Sequence, residues 1–341
     1  MAGLTGKITL ADVAARARVD RSVVSRVLNE DPRLNIRPET RARVLAAIRE
    51  LGYRPNAIAR SLRTRRAEAL GLLIPDFHNP IYASVITGAE AAAARRGLVL
   101  LIGSLDGAGC GPEHYLELLG EGRVDGVLVA GTDPTGQLVA RLEASGVPWM
   151  LVVRRMEGAR RYVILDDERA AAVGVRHLVE LGHRRIAHIA GIEASDTAGR
   201  RRAGYLSAMD AAGLDVPARY IEAGDYTYEG GRSAMRRLLR TRPRPTAIVV
   251  ANVAAAIGAL AAARDAGVAV PGEVSVVAVH DLPLAAYLQP SLTTVRMPLQ
   301  ELGERAIELL LATRPDEDVA EVVDGDVELV VRGSSAPAPE G

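Results

Sequence analysis

The chain has 341 residues, of which 48% are hydrophobic and 3% aromatic, and its 42 basic and 42 acidic residues leave no net charge. This length and apolar content support two or three folded domains, while the one cysteine, Cys110, excludes a disulfide framework and a site built from several thiolates. No apolar run reaches about 18 residues and none forms a leader segment near Met1, so we expect a protein of the cytoplasm of a prokaryote.

The first segment with helical spacing of apolar residues is 10–17, and Thr9 in front of it can cap the helix. A second segment, 21–29, follows after a very short break, and Asp20 is its candidate cap. Two short helices joined this tightly are typical of a helix-turn-helix, whose second helix enters the major groove of DNA.

A third helical segment, 38–51, starts at Pro38 and stops before Gly52, so that three helices can enclose one small core. The stretch 55–62 comes next. It is too short to be helical alone in water, since isolated helices below about 12 residues are marginal. We therefore expect it to fold only on DNA, which would couple its helical state to binding.

Basic residues are concentrated in this N-terminal part. Residues 1–66 contain 15 Lys and Arg against 6 Asp and Glu, whereas residues 67–341 contain 27 against 36. A helix-turn-helix pattern alone is often only two packed helices, and basic side chains can simply form a solvated surface. The charge asymmetry favours instead an interaction with the DNA phosphate backbone.

From residue 69 onward, continuous apolar segments alternate with helical ones, in two series of similar size. This alternation predicts parallel sheets covered by helices on both faces, and hence two doubly wound α/β lobes. The last helix and strand look like a return to the first lobe. The predicted division is a headpiece at 1–54, a hinge at 55–67 and a two-lobed domain at 68–334, with the first lobe at about 68–166 plus 296–334 and the second at about 167–295.

The ordered motifs TLADVA, VSRVLN, ETRARV and LGYRPNAIARSL resemble the headpiece of the LacI/GalR family of bacterial transcription regulators. In the body, LVELGHRRIAHIAG, PGEVSVVAVHD and LVVRGSSAP resemble the periplasmic-binding-protein-like effector domain of the same family. The resemblance covers nearly the whole chain. It implies a multidomain fold, with an all-α helix-turn-helix headpiece and hinge helix followed by a two-lobed α/β domain.

The same resemblance implies a sequence-specific transcriptional repressor that binds a near-palindromic operator in the nucleoid under the control of a small-molecule effector. Because the tail APAPEG is short and lacks leucine heptads, we expect a homodimer rather than a coiled-coil tetramer. Arg18 stands where the turn of the family usually carries Gly or Asn. It either strains the turn slightly or adds a phosphate contact.

The expected DNA contacts lie in the headpiece and the hinge. Arg21, Ser22 and Arg26 are expected at base edges, with arginine favouring guanine, while other polar residues hold phosphates. Leu62 matches the leucine that wedges into the minor groove in the family, although it could instead pack on the body. The full set is Thr9, Asp20, Arg21, Ser22, Ser25, Arg26, Asn29, Thr40, Tyr53, Asn56, Ala59 and Leu62.

The effector is expected in the cleft between the lobes, where the C-terminal ends of the strands meet. By resemblance, Arg201, Asn252 and Asp281 match ligand-contacting residues, and Tyr226 an aromatic that stacks on the ligand. Such a set suits the hydroxyls of a sugar, although Arg201 and Asp281 could instead pair with each other. The full set is Asp76, Phe77, Tyr82, Asp166, Thr197, Arg201, Tyr226, Asn252 and Asp281, with Ile81 beside Tyr82.

Three residues depart from the sugar-responsive relatives. Val253 replaces a common aspartate, His280 a common tyrosine, and Met297 a residue that is often polar. The pocket is therefore expected to be more apolar than a hexose site. A carbohydrate, a nucleoside, a sugar derivative and the absence of any ligand all stay open.

Two other function classes fit the sequence poorly. A secreted solute-binding protein would need a signal segment and no basic headpiece. A nucleotide-using or hydrolytic enzyme would need motifs that are missing, because the sequence contains no G-x-G-x-x-G after its first strand, no G-x-x-x-x-G-K-[ST] and no G-x-S-x-G. The six histidines form no H-x-x-x-H pair. We expect no enzymatic activity, no cofactor and no metal.

Overall fold

The computed structural model describes residues 8–29, 31–53, 66–105, 115, 121–131 and 137–340. The chain divides into two compact units, residues 1–66 and residues 67–341. The boundary falls at the end of the stretch predicted to be the hinge. That stretch lies mostly within residues 54–65, outside the described ranges, so the hinge helix and the contacts expected from Asn56, Ala59 and Leu62 stay predictions.

The first unit contains α1 Leu10–Ala17, α2 Arg21–Leu28 and α3 Pro38–Leu51. The start of α1 is a capping box, in which Thr9 accepts a hydrogen bond from the Asp12 amide while the Asp12 carboxylate accepts one from the Thr9 amide at 2.8 Å. Asp20 caps α2 by accepting from the Ser22 amide at 2.7 Å. The predicted caps are therefore confirmed.

The turn between α1 and α2 is left-handed, because Arg18 has φ 53°. The three helices enclose a small core made of Val13, Ala14, Ala17, Val24, Val27, Val44 and Ala47. Arg43 on α3 donates to the Ala17 carbonyl oxygen at 2.8 Å, which ties α3 to the turn. With Val24 and Val27 buried on one side of α2, the polar residues of α2 must lie on the other side.

The strands described in the second unit are β1 Ala69–Ile74, β2 Val99–Ser104, β3 Val127–Val129, β4 Trp149–Val152, β5 Arg161–Ile164, β6 Ile186–Ile189, β7 Ile221–Glu222, β8 Ala247–Val250, β9 Ser275–Val279, β10 Thr293–Arg296, β11 Val319–Val322 and β12 Glu328–Val330. Its helices are α4 Ile81–Arg95, α5 Leu138–Ala144, α6 Asp167–Glu180, α7 Asp196–Ala211, α8 Tyr228–Arg240, α9 Val253–Asp265 and α10 Leu299–Ala312. Two 3-10 segments span Ala218–Tyr220 and Pro283–Tyr287.

These strands form two six-stranded sheets, with the orders β11-β5-β4-β3-β1-β2 and β12-β10-β9-β8-β6-β7. Neighbouring strands are parallel, except that β12 is antiparallel to β10. The central strands are buried throughout, as the continuous apolar runs predicted, because helices cover both faces.

The prediction that residues 296–334 return to the first lobe is only partly right. Helix α10 packs on α4, and β11 pairs with β5, so both belong to the first lobe. Strand β12, however, pairs with β10 in the second sheet, and beyond it Ser334 donates to the Val276 carbonyl oxygen at 2.6 Å. The chain thus crosses back to the second lobe after β11, because β10 would otherwise leave its ladder groups unpaired.

Helices α6 and α7 of the second lobe pack closely against each other. A Cβ atom built on Gly204 of α7 would lie 2.0 Å from the carbonyl oxygen of Glu168 on α6. Glycine therefore lets the two helix backbones approach each other. This approach places Arg201 of α7 beside Asp167, the first residue of α6.

Candidate functional site

The face of α2 opposite its core is the surface that the sequence analysis expects to contact DNA. Arg21, Ser22 and Arg26 are exposed on this face, as predicted. The Arg26 side chain is 57% exposed, and among the described residues the carboxylate that it contacts is that of Asp31, at 3.8 Å. An arginine held this loosely remains free to contact a base edge.

Several other residues expected at DNA phosphates also have structural roles. Thr9 and Asp20 are helix caps, and hydrogen bonds from Ser22 lower the pKa of Asp20. Asn29 is exposed at the end of α2, where its amide donates to the Ser25 carbonyl oxygen. Thr40 and Tyr53 are partly buried, and Tyr53 packs against the small core.

A small cavity of about 10 Å³ lies between the two lobes of the second unit. Of the effector-site residues predicted from the sequence, Thr197, Arg201, Tyr226 and Asn252 come together in its wall. The remaining lining residues are Asn79, Ile81, Val153, Arg154 and His280. An adjoining cavity of about 150 Å³ is lined by Asp76, Tyr82, Arg154 and Tyr226, among others. The two cavities share Asn79, Arg154 and Tyr226 and so form one candidate effector site.

Arg201 is the most firmly held of these residues, with 2% of its surface exposed. Its guanidinium donates to Asp167 at 2.7 Å, to the Ala251 carbonyl oxygen and to His280 at 3.0 Å. It also lies 6.0 Å from the centre of the Tyr226 ring. Because most of its donors are used by protein atoms, Arg201 orients the wall of the cavity as well as lining it.

Tyr226 is fixed in an uncommon backbone conformation, with φ 68°. Asn252 stabilises it by donating to the Tyr226 carbonyl oxygen at 2.9 Å, while the Asn252 side-chain oxygen caps α9 through the Ala255 amide at 2.9 Å. The ring rests against Gly191, where an added Cβ would lie 2.0 Å from the ring carbon Cζ. The position of the Tyr226 ring thus depends on the space that Gly191 leaves beneath it and on the hydrogen bond from Asn252.

His280 is fully buried in the cavity wall and has φ 73°. A guanidinium can only donate, so Nε2 of His280 accepts the hydrogen bond from Arg201 and carries no proton. Burial, and then the Arg201 cation, hold the pKa of His280 well below its ordinary value. The neutral ring therefore carries its proton on Nδ1, which is buried and has no hydrogen-bond partner in the part of the chain that the structure describes.

Arg154 follows β4 and lines both cavities. Its Nη2 donates to the Tyr82 hydroxyl at 3.0 Å, and its Nε is buried without a partner. Burial raises the pKa of Tyr82, so this hydroxyl stays neutral. Across the cavity, the hydroxyls of Thr197 and Tyr226 are also buried and unpartnered. The wall therefore presents several polar groups that the protein itself does not satisfy.

The structure corrects the role expected of Asp281. This residue lines neither cavity, and its carboxylate accepts hydrogen bonds from Thr294, Arg296 and Arg332 at 2.7–3.0 Å. The backbone of His280 is left-handed, with φ 73°, so the extended conformation of β9 does not continue through it. The His280 side chain lines the cavity, whereas the Asp281 carboxylate contacts Thr294 on β10. The alternative that Arg201 pairs with Asp281 is also wrong, because the carboxylate that binds Arg201 belongs to Asp167.

Two further expected residues are not brought to the cavity. Phe77 is 59% exposed and lies in neither lining. Asp166 caps α6 by accepting from the Arg169 amide at 2.9 Å. The prediction missed Arg154 and did not assign His280 a role. Arg154 carried a usable signal, since it directly follows an apolar strand, as ligand-binding residues in such sheets do.

Within the ranges that the structure describes, no group of three or more His, Cys, Asp or Glu side chains could hold a metal ion. None of the helices in those ranges combines the length and the apolar character that a membrane span requires.

Comparison with known proteins accounts for both units. Residues 9–56 match the family model described as bacterial regulatory proteins, lacI family, and residues 175–335 match that of a periplasmic binding protein-like domain. The chain is 35% identical over 337 residues to the HTH-type transcriptional repressor PurR of Serratia proteamaculans, covering 97% of this chain and 98% of PurR. The chain belongs to the lacI family of bacterial regulatory proteins.

Solved structures of lacI-family regulators agree with the fold. The lac repressor dimer bound to operator and the anti-inducer ONPF is 26% identical, with a TM-score of 0.82 over 97% of this chain and 100% of the repressor chain. The regulator CelR in its cellobiose complex is 32% identical, with a TM-score of 0.74 over 96% of this chain and 100% of CelR. As a lacI-family protein, this chain is a DNA-binding transcriptional regulator with an effector-binding domain.

Proposed function

We propose that this lacI-family regulator is a repressor that binds a near-palindromic operator as a homodimer, under the control of a small molecule bound between the two lobes. Acting on chromosomal DNA, it would work in the cytoplasm. The observation that carries the proposal is a set of polar atoms around the interlobe cavity that have no partner within the described ranges: Arg154 Nε, Thr197 Oγ1, Tyr226 Oη and His280 Nδ1. Buried polar groups are nearly always hydrogen-bonded, and leaving one unsatisfied costs about 1–3 kcal/mol. A ligand that bonds to several of these atoms recovers that free energy.

The lining also indicates what kind of ligand fits. Tyr226 offers an aromatic face, and Ile81 and Val153 add apolar surface. Among the relatives, the regulator CelR is solved in complex with cellobiose. An effector of comparable size, either a sugar derivative or a nucleoside-like molecule, would place a ring on Tyr226 and polar groups on the unsatisfied atoms.

Ligand binding would act through contacts that join the two lobes. Arg155, just after β4, donates to Asp196 at the start of α7 through its side chain at 2.8 Å and its amide at 3.1 Å. Arg200 of α7 donates to the Val153 carbonyl oxygen at 3.2 Å. Both contacts border the cavity, so a ligand that favours this arrangement of the lobes would shift its population. In a dimer, that shift would change the spacing of the two hinges and their helical state on DNA.

The sequence preference of the operator should depend on Arg26. Arg26→Ala is expected to weaken binding by about 1–3 kcal/mol at one base pair of each half-site, because a bidentate contact to guanine is lost. Binding measured on a library of half-site variants tests this, with Arg33→Ala as the control. Arg33 is an exposed loop arginine (89% of its side chain) and should affect all sequences equally. An unchanged base preference in Arg26→Ala would remove Arg26 from base recognition.

A homodimer is supported by large apolar side chains that stay exposed in one copy. On the edge strand β2, Val99 and Leu101 are 59% and 47% exposed, and in the second lobe Leu284 and Tyr287 are 45% and 85% exposed. Exposed apolar patches of this kind commonly mark protein interfaces. The related lac repressor structure is a dimer.

Tyr287→Asp is expected to shift the protein from dimer to monomer, because a charge would be buried in the interface. Sedimentation over a concentration series measures the change, and operator affinity should fall in parallel. Val322→Asp is the control. Val322 is 53% exposed and lies on β11, which is the edge of the first sheet opposite β2. A Tyr287→Asp protein that dimerises like the wild type would exclude this surface from the interface.

The whole proposal is tested by footprinting the protein on genomic DNA, followed by a thermal-shift screen of sugars, sugar derivatives and nucleosides. A near-palindromic site with two half-sites is expected upstream of a few genes. The genes nearby indicate the metabolite, and that metabolite should raise the melting temperature of the protein and alter its operator affinity. Enrichment of single half-sites, or an effector whose action survives substitutions in the cavity, would contradict the proposal.

A further inference from the structure

We propose that the effector carries an anionic group, a carboxylate or a phosphate, and that Arg154 binds it. The inference rests on the proposed function in one respect, which is that the cavity between the lobes is the effector site. It goes further in two respects: the effector is charged, and Arg154, which was not among the residues predicted from the sequence, binds that charge.

Arg154 is a buried cation that has no carboxylate partner among the described residues. It is 5% exposed, and its hydrogen bond to the neutral Tyr82 hydroxyl is the one polar contact that the described residues provide. The neighbouring arginines differ in this respect. Arg155 and Arg200 both contact Asp196, at 2.8 and 3.0 Å, and Arg201 contacts Asp167 at 2.7 Å.

The nearby carboxylates leave Arg154 without an ion pair. Asp167 and Asp196 are bound by Arg155, Arg200 and Arg201. Asp76 and Asp225 border the adjoining cavity, but among the described residues neither pairs with Arg154, because Asp76 contacts His78 at 2.6 Å and Asp225 accepts from Thr227 at 2.6 and 2.8 Å. A buried charge without a partner is costly, and an anion from outside supplies the missing partner.

The other groups that meet at the cavity also favour an anion. His280 Nδ1 offers a proton, and the Thr197 and Tyr226 hydroxyls can each donate one. The N-terminal ends of α4, α7 and α9 reach the cavity through Ile81, Thr197 and Asn252. The positive ends of helix dipoles favour negative charge, although Asn252 already caps α9 and the Asp196 carboxylate, held by Arg155 and Arg200, lies at the start of α7.

A neutral sugar fits this donor-rich wall less well. Its hydroxyls need acceptors as well as donors, and carboxylates usually serve that purpose. Here Asp281 is bound to Thr294, Arg296 and Arg332, and the position after Asn252 is a valine, so that the carboxylates in the lining, Asp76 and Asp225, lie in the adjoining cavity and not beside Arg201 and His280. A neutral ligand would also leave the charge of Arg154 without a counterion. An acidic ligand satisfies both requirements.

The first test needs no knowledge of the effector. Arg154→Gln keeps a donor for Tyr82 but removes the charge, so the ligand-free protein should melt at the same temperature as the wild type or higher. Inorganic phosphate should raise the melting temperature of the wild type above that in chloride of equal ionic strength, and should do so much less for Arg154→Gln. Arg160→Gln, whose side chain is 68% exposed, is the surface control. A lower melting temperature for Arg154→Gln together with an unchanged phosphate effect would overturn the proposal.

The second test uses matched ligands and separates the two acid types. Calorimetric titration of the full chain compares glucose with glucose 6-phosphate and glucuronate, and adenosine with its 5′-monophosphate. We expect the acidic member of a set to bind at least about tenfold more tightly than the neutral one, an advantage that Arg154→Gln removes and Arg154→Lys partly restores. Preference for the phosphate or for the carboxylate member identifies the anion.

The failure of this proposal is distinguishable from the failure of the proposed function. If a neutral ligand binds best, loses affinity in Arg201→Ala and keeps it in Arg154→Gln, the anionic effector is wrong and the effector cavity stands. If ligands bind and act normally in both variants, the cavity is not the effector site and both proposals fall.

Discussion

Arg201→Ala is expected to lower the free energy of unfolding of the second unit by about 3–5 kcal/mol and to abolish the response to effector. Arg201 and its partner Asp167 are both 2% exposed, and removing Arg201 breaks a buried ion pair and leaves Arg200 as the one cation that still contacts Asp167 among the described residues. The substitution also frees His280 and the Ala251 carbonyl oxygen, which now accept hydrogen bonds from Arg201. Chemical denaturation followed by tryptophan fluorescence reports the stability, because Trp149 lies in this unit.

Arg202→Ala is the matched control, since Arg202 is the next residue on the same helix and is exposed. It should change the free energy of unfolding by no more than about 0.5 kcal/mol. Operator binding by Arg201→Ala without effector should persist at temperatures where the second unit stays folded. An Arg201→Ala protein with wild-type stability and a normal effector response would disprove the assignment of Arg201 to the cavity wall.

Val24→Asp is expected to unfold the first unit and remove specific operator binding. Val24 is fully buried in a core of only a few residues, and an unpaired carboxylate there costs several kcal/mol or more. A domain of about 60 residues has little stability to lose. The second unit should melt as in the wild type, because it forms a compact unit of its own.

Operator titration and the NMR spectrum of the first unit measure these effects. Leu45→Asp introduces the same charge on α3 at a position that is 39% exposed, so it should leave the fold and operator binding largely unchanged. If Val24→Asp bound its operator with wild-type affinity, DNA recognition would have to lie outside this helical unit.

The local features of the first unit followed from short stretches of sequence. Thr9 and Asp20 were predictable as caps, and Gly52 as a helix stop, because each acts on backbone groups within a few residues. Arg18 was correctly placed in a turn that prefers glycine. The outward face of α2 followed from the spacing of Val24 and Val27.

The errors concern contacts between distant parts of the chain. Strand β12 was assigned to the wrong lobe, because a short apolar segment does not specify which sheet edge it completes. Asp281 was expected in the cavity since it follows a strand, yet the left-handed conformation of His280 turns it towards Arg332. Arg154 was missed because its lack of a carboxylate becomes visible only when every neighbour is known.

The sequence by itself determined the family, the helix-turn-helix with its basic charge, the two doubly wound lobes and most of the strand ends that meet at the cavity. These depend on periodicity, caps and motif order, which act over short distances. Only the tertiary structure decided how the buried charges pair. Asp167 and Arg201 are 34 residues apart, and Arg201 and His280 are 79 apart. Electrostatic partners are chosen by proximity in space, so the unpaired charge of Arg154, and the acidic effector that it predicts, emerge only from the folded chain.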